Sequence, residues 1–213
     1  MTRFISFLLI LITPLFLNAQ IKIAPTAGIN ISDYSLNKDI ADNIGMKNNY
    51  FLGLHSTIPL STSIDFVADV EYSLRGFSRE NADPFNLIPD VEYRVAYLDF
   101  QPYIQFQVTE DFSVGGGFFF GFNLDEDYRF GLDGDWLNNE EQDAASTTDV
   151  GMLFNARYTF DRLFVFLEYN HGYKNIGRLT YSDANGEIVS NARQRLRNFQ
   201  LGIGFYLISP EDY

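Results

Sequence analysis

The chain contains no cysteine. Disulfides, thiolate metal centres and lipid attachment through an N-terminal cysteine are therefore excluded. Histidine occurs twice, at His55 and His171, and tryptophan once, at Trp136. Basic residues are scarce, 15 Lys and Arg against 28 Asp and Glu, for a formal net charge of −13 at pH 7. Nucleic-acid binding needs a basic footprint, so no nucleic acid partner is expected. After the first twenty residues no apolar run approaches the ~20 residues of a membrane-spanning helix, and no convincing helical stretch follows. A secreted chain without disulfides needs an extensive hydrogen-bonded framework instead.

What is present begins with a leader pattern. Arg3 supplies a short positive region, Phe4 to Leu17 is mostly apolar, and Leu17-Asn18-Ala19 ends in a small residue. This is the layout of a secretory signal peptide. The expected organisation is a signal peptide at 1–19 and one β-barrel domain at 20–213.

That domain is dominated by period-two alternation, the pattern of strands with two unlike faces. Ile64, Phe66, Ala68, Val70, Tyr72 and Leu74 oppose Asp65, Val67, Asp69, Glu71, Ser73 and Arg75. Leu98 to Val108, Val150 to Phe160 and Asn198 to Leu207 repeat it. Weaker versions run through Ile21–Ile31, Tyr50–Leu60, Phe112–Phe122 and Leu163–Asn170. The count is eight strands. Long polar connections at about 35–48, 77–92, 125–148 and 175–194 alternate strictly with tight turns at 61–63, 109–111 and 161–162. In an up-and-down sheet this gathers all long loops at one end. The expected fold is all-β: an eight-stranded antiparallel up-and-down transmembrane barrel, with short periplasmic turns, external loops and periplasmic termini.

Alternation alone does not say which face lies inside. Three features favour apolar outward. The polar face is rich in Gly, Ser, Thr, Asn and Gln with charges of both signs, which suits a narrow filled lumen. Aromatics gather towards strand ends (Tyr72, Phe112, Tyr158, Phe160, Tyr169, Tyr173, Phe205), as interfacial girdles require. A closed barrel also satisfies every backbone group, as hydrocarbon demands. Pro25 and Pro102 interrupt predicted strands. Pro25 lies close to a strand start, and Pro102 is expected to mark a bulge or bend.

Ala27-Gly28-Ile29-Asn30 in the first strand, the closing run Asn198-Phe199-Gln200-Leu201-Gly202-Ile203-Gly204-Phe205-Tyr206 and the Ala19-Gln20 junction carry a resemblance. The chain resembles the Bacteroidota outer-membrane β-barrel family, described as PorT-like or porin-family. The resemblance spans the exported chain and implies an outer-membrane location, without implying one substrate or a secretion role. Members commonly end on an aromatic of the last strand. Here Ser209-Pro210-Glu211-Asp212-Tyr213 continues past it, leaving both Phe205 and Tyr213 as the residue that assembly machinery would read.

Candidate chemistry is sparse, and no cofactor is expected. A lipid-modifying enzyme needs a nucleophile beside a base. His55 is expected in the lumen, Ser56 points to the opposite face, and His171 has no serine at a recognisable spacing. No catalytic residue is assigned. The inward charges Asp65, Asp69, Glu71, Arg75, Asp99, Arg157 and Glu168 are expected to form a bonded polar network filling the lumen, with Arg75 above Asp69, Glu71 and Asp99. A narrow porin passing small solutes is the alternative. In the third long loop, Asp125, Glu126, Asp127, Asp133, Asp135, Glu140, Glu141 and Asp143 face only Arg129. Asp133 and Asp135 are weak candidates for a Ca²⁺ site, since calcium takes several oxygen ligands. Trp136 is the candidate for recognition through the loops. Expected partners are outer-membrane lipid and envelope proteins that meet the loops.

Overall fold

The computed structural model describes residues 21–36, 43–80, 90–131, 134–138, 147–175, 181–182, 188–189 and 194–207. The proposed signal peptide lies outside them.

Eight long strands form one antiparallel sheet: β1 Lys22–Leu36, β2 Asn43–Pro59, β3 Ile64–Glu80, β4 Val91–Gln107, β5 Phe112–Phe130, β6 Thr148–Phe160, β7 Leu163–Gly172 and β8 Gln194–Phe205. Each pairs with its neighbour in sequence. β1 also pairs with β8, from Thr26↔Gly204 to Leu36↔Gln194, and this closes the barrel. Closure removes the open edges that would otherwise leave backbone groups unpaired. The segment Leu137–Asn138 pairs back onto β5 at Tyr128 and Asp127. In the last long connection, Tyr181–Ser182 pairs with Ile188–Val189.

Side chains sort by alternation as the sequence implies. Phe118 (54% exposed), Phe154 (54%), Leu167 (61%) and Phe199 (56%) stand on the outer wall, with Leu98, Phe100, Leu201 and Ile203 beside them. The phenylalanine-rich faces therefore point outward, opposite to a soluble ligand-binding barrel. The band ends in aromatic clusters. Tyr158 meets Phe160 at 4.5 Å near the tight turns, and Tyr169 meets Phe199 at 4.6 Å towards the long loops.

The lumen is not purely polar. Phe51, Phe119, Phe164 and Phe166 are buried inside it. Glycines on the adjoining strands make the room. Gly202 pairs with Phe166 and Gly204 with Phe164. A Cβ at Gly202 would lie 2.4 Å from the Phe166 ring, and one at Gly204 2.2 Å from the Phe164 ring. An eight-stranded barrel is only wide enough to be filled by side chains, and these rings take much of that space.

Several sequence expectations need correction. Strands run further towards the long-loop end than apolar alternation indicates: β2 starts at Asn43, β3 reaches Glu80, β4 starts at Val91 and β5 reaches Phe130. Above the apolar band the pairing is carried by polar and aromatic partners, such as Tyr93 stacked on Phe77 at 4.7 Å, so hydropathy loses the signal. An extra residue, Leu124, also shifts the β4–β5 register between Ala96 and Tyr97 and inverts the alternation beyond it. Pro102 makes no bulge. Its register with β3 is unbroken, and the β4–β5 ladder lapses at Gln101 and Pro102 before resuming at Tyr103 in the same register. Pro25 pairs with Leu54 of β2 and precedes the β1–β8 ladder, which starts at Thr26.

The irregularity in β2 falls between Met46 and Phe51, where its ladder to β3 breaks. Side chains of β1 bridge the gap. Asn30 Nδ2 donates to Ser73 Oγ (2.8 Å) and to the Leu74 carbonyl (3.0 Å), while Ser32 Oγ donates to the Gly76 carbonyl (2.9 Å) and accepts from its N–H (2.8 Å). Buried backbone groups need partners, and here side chains of β1 replace interrupted ladder bonds between β2 and β3. At the β6–β7 turn Asp161 adopts φ 55°, a left-handed conformation that Asp tolerates well.

Candidate functional site

The inward polar residues divide into two clusters rather than one. The upper cluster centres on Arg75, which is fully buried. Its guanidinium pairs with Asp99, its Nε donates to Ser73 Oγ at 3.1 Å, and it lies against the Tyr97 ring at 5.1 Å and the Phe119 ring at 5.4 Å. Glu71 accepts from Gln200 Nε2 at 2.5 Å. Glu168 accepts from Asn155 at 3.1 Å and Asn170 at 2.9 Å. These bonds follow from the register, which places Asn155, Glu168 and Gln200 side by side on β6, β7 and β8.

The lower cluster centres on Arg157 and His55. Asp69 belongs here, not beneath Arg75, because six residues of strand separate positions 69 and 75 by ~20 Å. His55 Nδ1 lies 2.6 Å from Asp69 Oδ1, and Nε2 lies 2.7 Å from Thr57 Oγ1 and 2.8 Å from Arg157 NH1. A carboxylate only accepts, so Nδ1–H donates to Asp69 and Nε2 accepts from Arg157, which leaves the longer approach of the other Arg157 nitrogen to Nδ1, at 3.3 Å, as a contact without a hydrogen bond. Arg157 also donates to Tyr103 (2.8 Å) and Tyr206 (3.2 Å) and stacks over Phe164 at 4.6 Å. Asp65 sits apart, half-buried at the tight-turn mouth.

Threonine, histidine and aspartate thus stand in hydrogen-bonded sequence, an arrangement the sequence reading passed over. It weighed Ser56, which faces outward. The residue two positions from His55 shares its face, and Asp69 is its partner across the strands. Chemically the row is blunted. Arg157 already occupies the Nε2 lone pair that a base would use, and Thr57 is almost completely buried. The sequence reading also missed Asp149, which is fully buried at the start of β6 and within Coulombic reach of Arg75. It was assigned to no face because it adjoins the long connection.

A family model for the outer membrane protein beta-barrel domain matches residues 18–177, which is most of the chain. The chain belongs to this outer-membrane β-barrel family. It is therefore an outer-membrane protein, and its exposed apolar band is the surface that lipid covers. No curated protein matches the chain in sequence. Among solved structures it is similar to Ail, the attachment invasion locus protein of Yersinia pestis, with 11% identity, 88% of this chain and 99% of that chain covered, and a TM-score of 0.49. It is also similar to Neisserial surface protein A, with 11% identity, coverages of 86% and 96% and a TM-score of 0.49. OprG from Pseudomonas aeruginosa gives 12% identity, coverages of 88% and 96% and a TM-score of 0.45.

In the frame of this outer-membrane barrel, a third cluster stands above the lipid band. Glu92 pairs with both Lys47 and Arg129, the latter at 2.6 Å, and Arg94 pairs with Asp127 at 2.6 Å. Burial pushes the Glu92 carboxyl up, but the two cations outweigh it and hold it below the usual carboxylate range. Trp136 lies between Arg94 at 4.4 Å and Arg129 at 4.7 Å. The candidate recognition residue is thus engaged by its own barrel, although its ring remains partly exposed. The picture of an acidic loop facing only Arg129 is corrected accordingly: Asp125, Glu126 and Asp127 lie on β5, and Asp127 is bound by Arg94. Asp135 is exposed, and its calcium-site companion Asp133 lies outside the described residues. Among the described residues no three His, Asp or Glu side chains converge as a metal site.

Proposed function

We propose that this protein is a non-enzymatic barrel with a filled lumen, a structural or interaction component of the cell envelope that presents four loops outside the cell. Its leader, residues 1–19, is cleaved on export, and both termini lie in the periplasm. It belongs to the PorT-like branch found in Bacteroidota, as Ala27–Asn30 and Asn198–Tyr206 imply. The observation that carries the plug reading is the occupancy of the lumen. Arg75, Tyr97, Tyr103, Phe51, Phe119, Phe164 and Leu153 are all buried within it. Non-enzymatic action is supported by the histidine environments. His55 is bound by Asp69, Thr57 and Arg157, and His171 by Tyr169 at 3.2 Å. Lipid covers the outer wall, and protein partners meet the loops.

A second reading, a narrow path for small cations, draws on the inward charges. Asp65, Asp69, Glu71, Asp99, Asp149 and Glu168 outnumber Lys22, Arg75 and Arg157. Planar-bilayer recording separates the two. The plug predicts no unitary conductance for the wild type or for Asp69→Ala, with the variant unfolding at lower temperature. Reproducible cation-selective steps in the wild type would establish the path instead.

A further inference from the structure

The outer wall is not uniform. An open groove of about 430 Å³ reaches from β6 across β7 and β8 to Ile31 of β1, over the seam where the barrel closes. Strand register builds its two sides. Leu201, Leu167 and Ala156 stand abreast in one row, and Phe199, Tyr169 and Phe154 in the row above. The groove is deepest in side-chain terms at Ala156, the one small residue of the six. Its volume falls within the roughly 300–1,000 Å³ of sites for small organic molecules, so it exceeds an ordinary gap between neighbouring side chains.

An apolar groove in a membrane selects little by itself. Lipid tails are as apolar as the wall, and only close packing favours seating one. What sets this stretch apart lies one step towards the long loops. Two residues beyond Phe199 and Tyr169, about 7 Å along the strands, Arg197 stands beside His171 on the same outer face. Arg195 follows Arg197 by two residues, opposite Ser35. The Phe199–Tyr169 pair marks the aromatic girdle, which sits at the headgroup level. The two arginines therefore stand among headgroups, directly above the groove. Asp33 clamps Arg197 through Nε at 2.9 Å and one terminal nitrogen at 2.7 Å. The other terminal nitrogen is left over on a side chain that is 40% exposed. Arg195 is half-buried and makes no ion pair with a described residue. His171 Nδ1 lies 3.2 Å from the Tyr169 hydroxyl. Two arginines against one aspartate leave this patch positive on a chain of net charge −13.

We propose that this stretch of wall binds one membrane lipid with an anionic phosphate headgroup, an acyl chain in the groove and the phosphate on Arg195 and Arg197. Guanidinium suits the headgroup because its planar fork matches phosphate oxygens at two points. Asp33 contributes by holding the Arg197 fork in one orientation, so less freedom is lost when the phosphate arrives. Groove and cations divide the work. The groove supplies packing for any tail, and the arginines supply the preference for charge. The proposal goes beyond the plug reading and needs only the lipid-covered wall of an outer-membrane barrel.

The test uses the full barrel refolded in detergent micelles, with folding of each variant checked by gel mobility and bound lipid counted by native mass spectrometry. Phosphatidylglycerol and phosphatidylcholine with identical chains are titrated in turn. Phosphatidylglycerol is expected to bind about fivefold more tightly, the factor that ~1 kcal/mol for one unbalanced arginine at a membrane surface corresponds to. Arg195→Gln breaks no bond of the described structure and should bring the two lipids level. Arg197→Gln frees Asp33 and should also abolish the preference. Ala156→Phe fills the groove and should weaken both lipids alike, leaving their ratio unchanged. Equal binding of the two lipids by the wild type would overturn the proposal. So would a preference that survives loss of both arginines, or Ala156→Phe binding both lipids like the wild type. Displacement of phosphatidylglycerol by equimolar inorganic phosphate would assign the arginines to a free anion and overturn the lipid assignment. None of these outcomes depends on whether the lumen conducts, so failure here and failure of the plug reading are distinguishable.

Discussion

Replacing Arg75 with methionine tests whether the filled lumen is held by its charges. The substitution keeps much of the volume and removes the cation that Asp99, Glu71 and Asp149 all face. Arg75 and Asp99 are both fully buried, and Arg75 bonds Asp99 directly. Removing one partner of such a pair costs about 3–5 kcal/mol, because the other charge is left uncompensated. Arg75→Met belongs at the upper end, since more than one carboxylate loses its counter-charge. Asp99→Asn belongs at the lower end, since Arg75 keeps Glu71 and Asp149 nearby. With a urea slope of about 2 kcal/mol per molar, Arg75→Met should lower the unfolding midpoint by roughly 2–2.5 M and Asp99→Asn by about 1.5 M. The double variant should lose less than the two single losses added together, because one of the stranded charges is gone. The assay is urea unfolding of the barrel in lipid vesicles, read by the gel mobility of folded and unfolded forms. Strict additivity in this cycle, or an Arg75→Met midpoint equal to the wild type, would refute the reasoning.

Three further outcomes follow from other parts of the wall. At Gly117 a Cβ would lie 2.3 Å from the Pro102 carbonyl oxygen and 2.4 Å from the Tyr103 Cβ, whereas at Gly116 its nearest neighbour is 3.6 Å away. Gly117→Ala should therefore cost about 1–3 kcal/mol by overpacking and Gly116→Ala far less; equal urea midpoints for the two would count against the backbone approach described here. Leu201→Arg puts a charge on the lipid face and should cost about 2–4 kcal/mol if it lies near the midplane, with vesicle unfolding as the measure and an unchanged midpoint as the contrary result. Glu92 is held ionised by Lys47 and Arg129, so its folded value is depressed. Its contribution is full above the unfolded value of about 4.3 and is lost only as pH falls through the lower folded one. Emission from Trp136, which stacks on Arg129, should stay constant down to about pH 5 and change below about pH 4. That change should vanish in Glu92→Gln, and a transition at or above the ordinary carboxylate value would contradict the assignment.

Much of the lumen was legible residue by residue. Alternation put Asp65, Asp69, Glu71, Arg75, Asp99, Arg157 and Glu168 on the inward face; Glu71, Arg75, Asp99, Arg157 and Glu168 are buried, and Asp65 and Asp69 are partly buried. Which of them touch was not legible. Asp69 bonds His55 rather than joining Arg75, and Gln200 reaches Glu71 on a distant strand of the barrel. Partners across a lumen depend on strand register and closure, which period-two patterning leaves open. The charged upper walls were lost for another reason. Hydropathy reads strands through runs of alternating apolar side chains, and here Glu92, Arg94, Asp127 and Arg129 share their segments with only a few apolar residues such as Val91, Val95 and Phe130.

The sequence by itself determined the number of strands, the alternation of long and short connections and the two unlike faces. Each of these is written locally, as a period of two or a run of polar residues, and needs no knowledge of distant partners. Only the tertiary structure decided how the buried charges were shared out and where Trp136 came to rest. Those outcomes rest on closure between β1 and β8, on the register of eight strands and on one inserted residue, Leu124. Closure brings together residues far apart in the chain, and their contacts exist only once the barrel is shut.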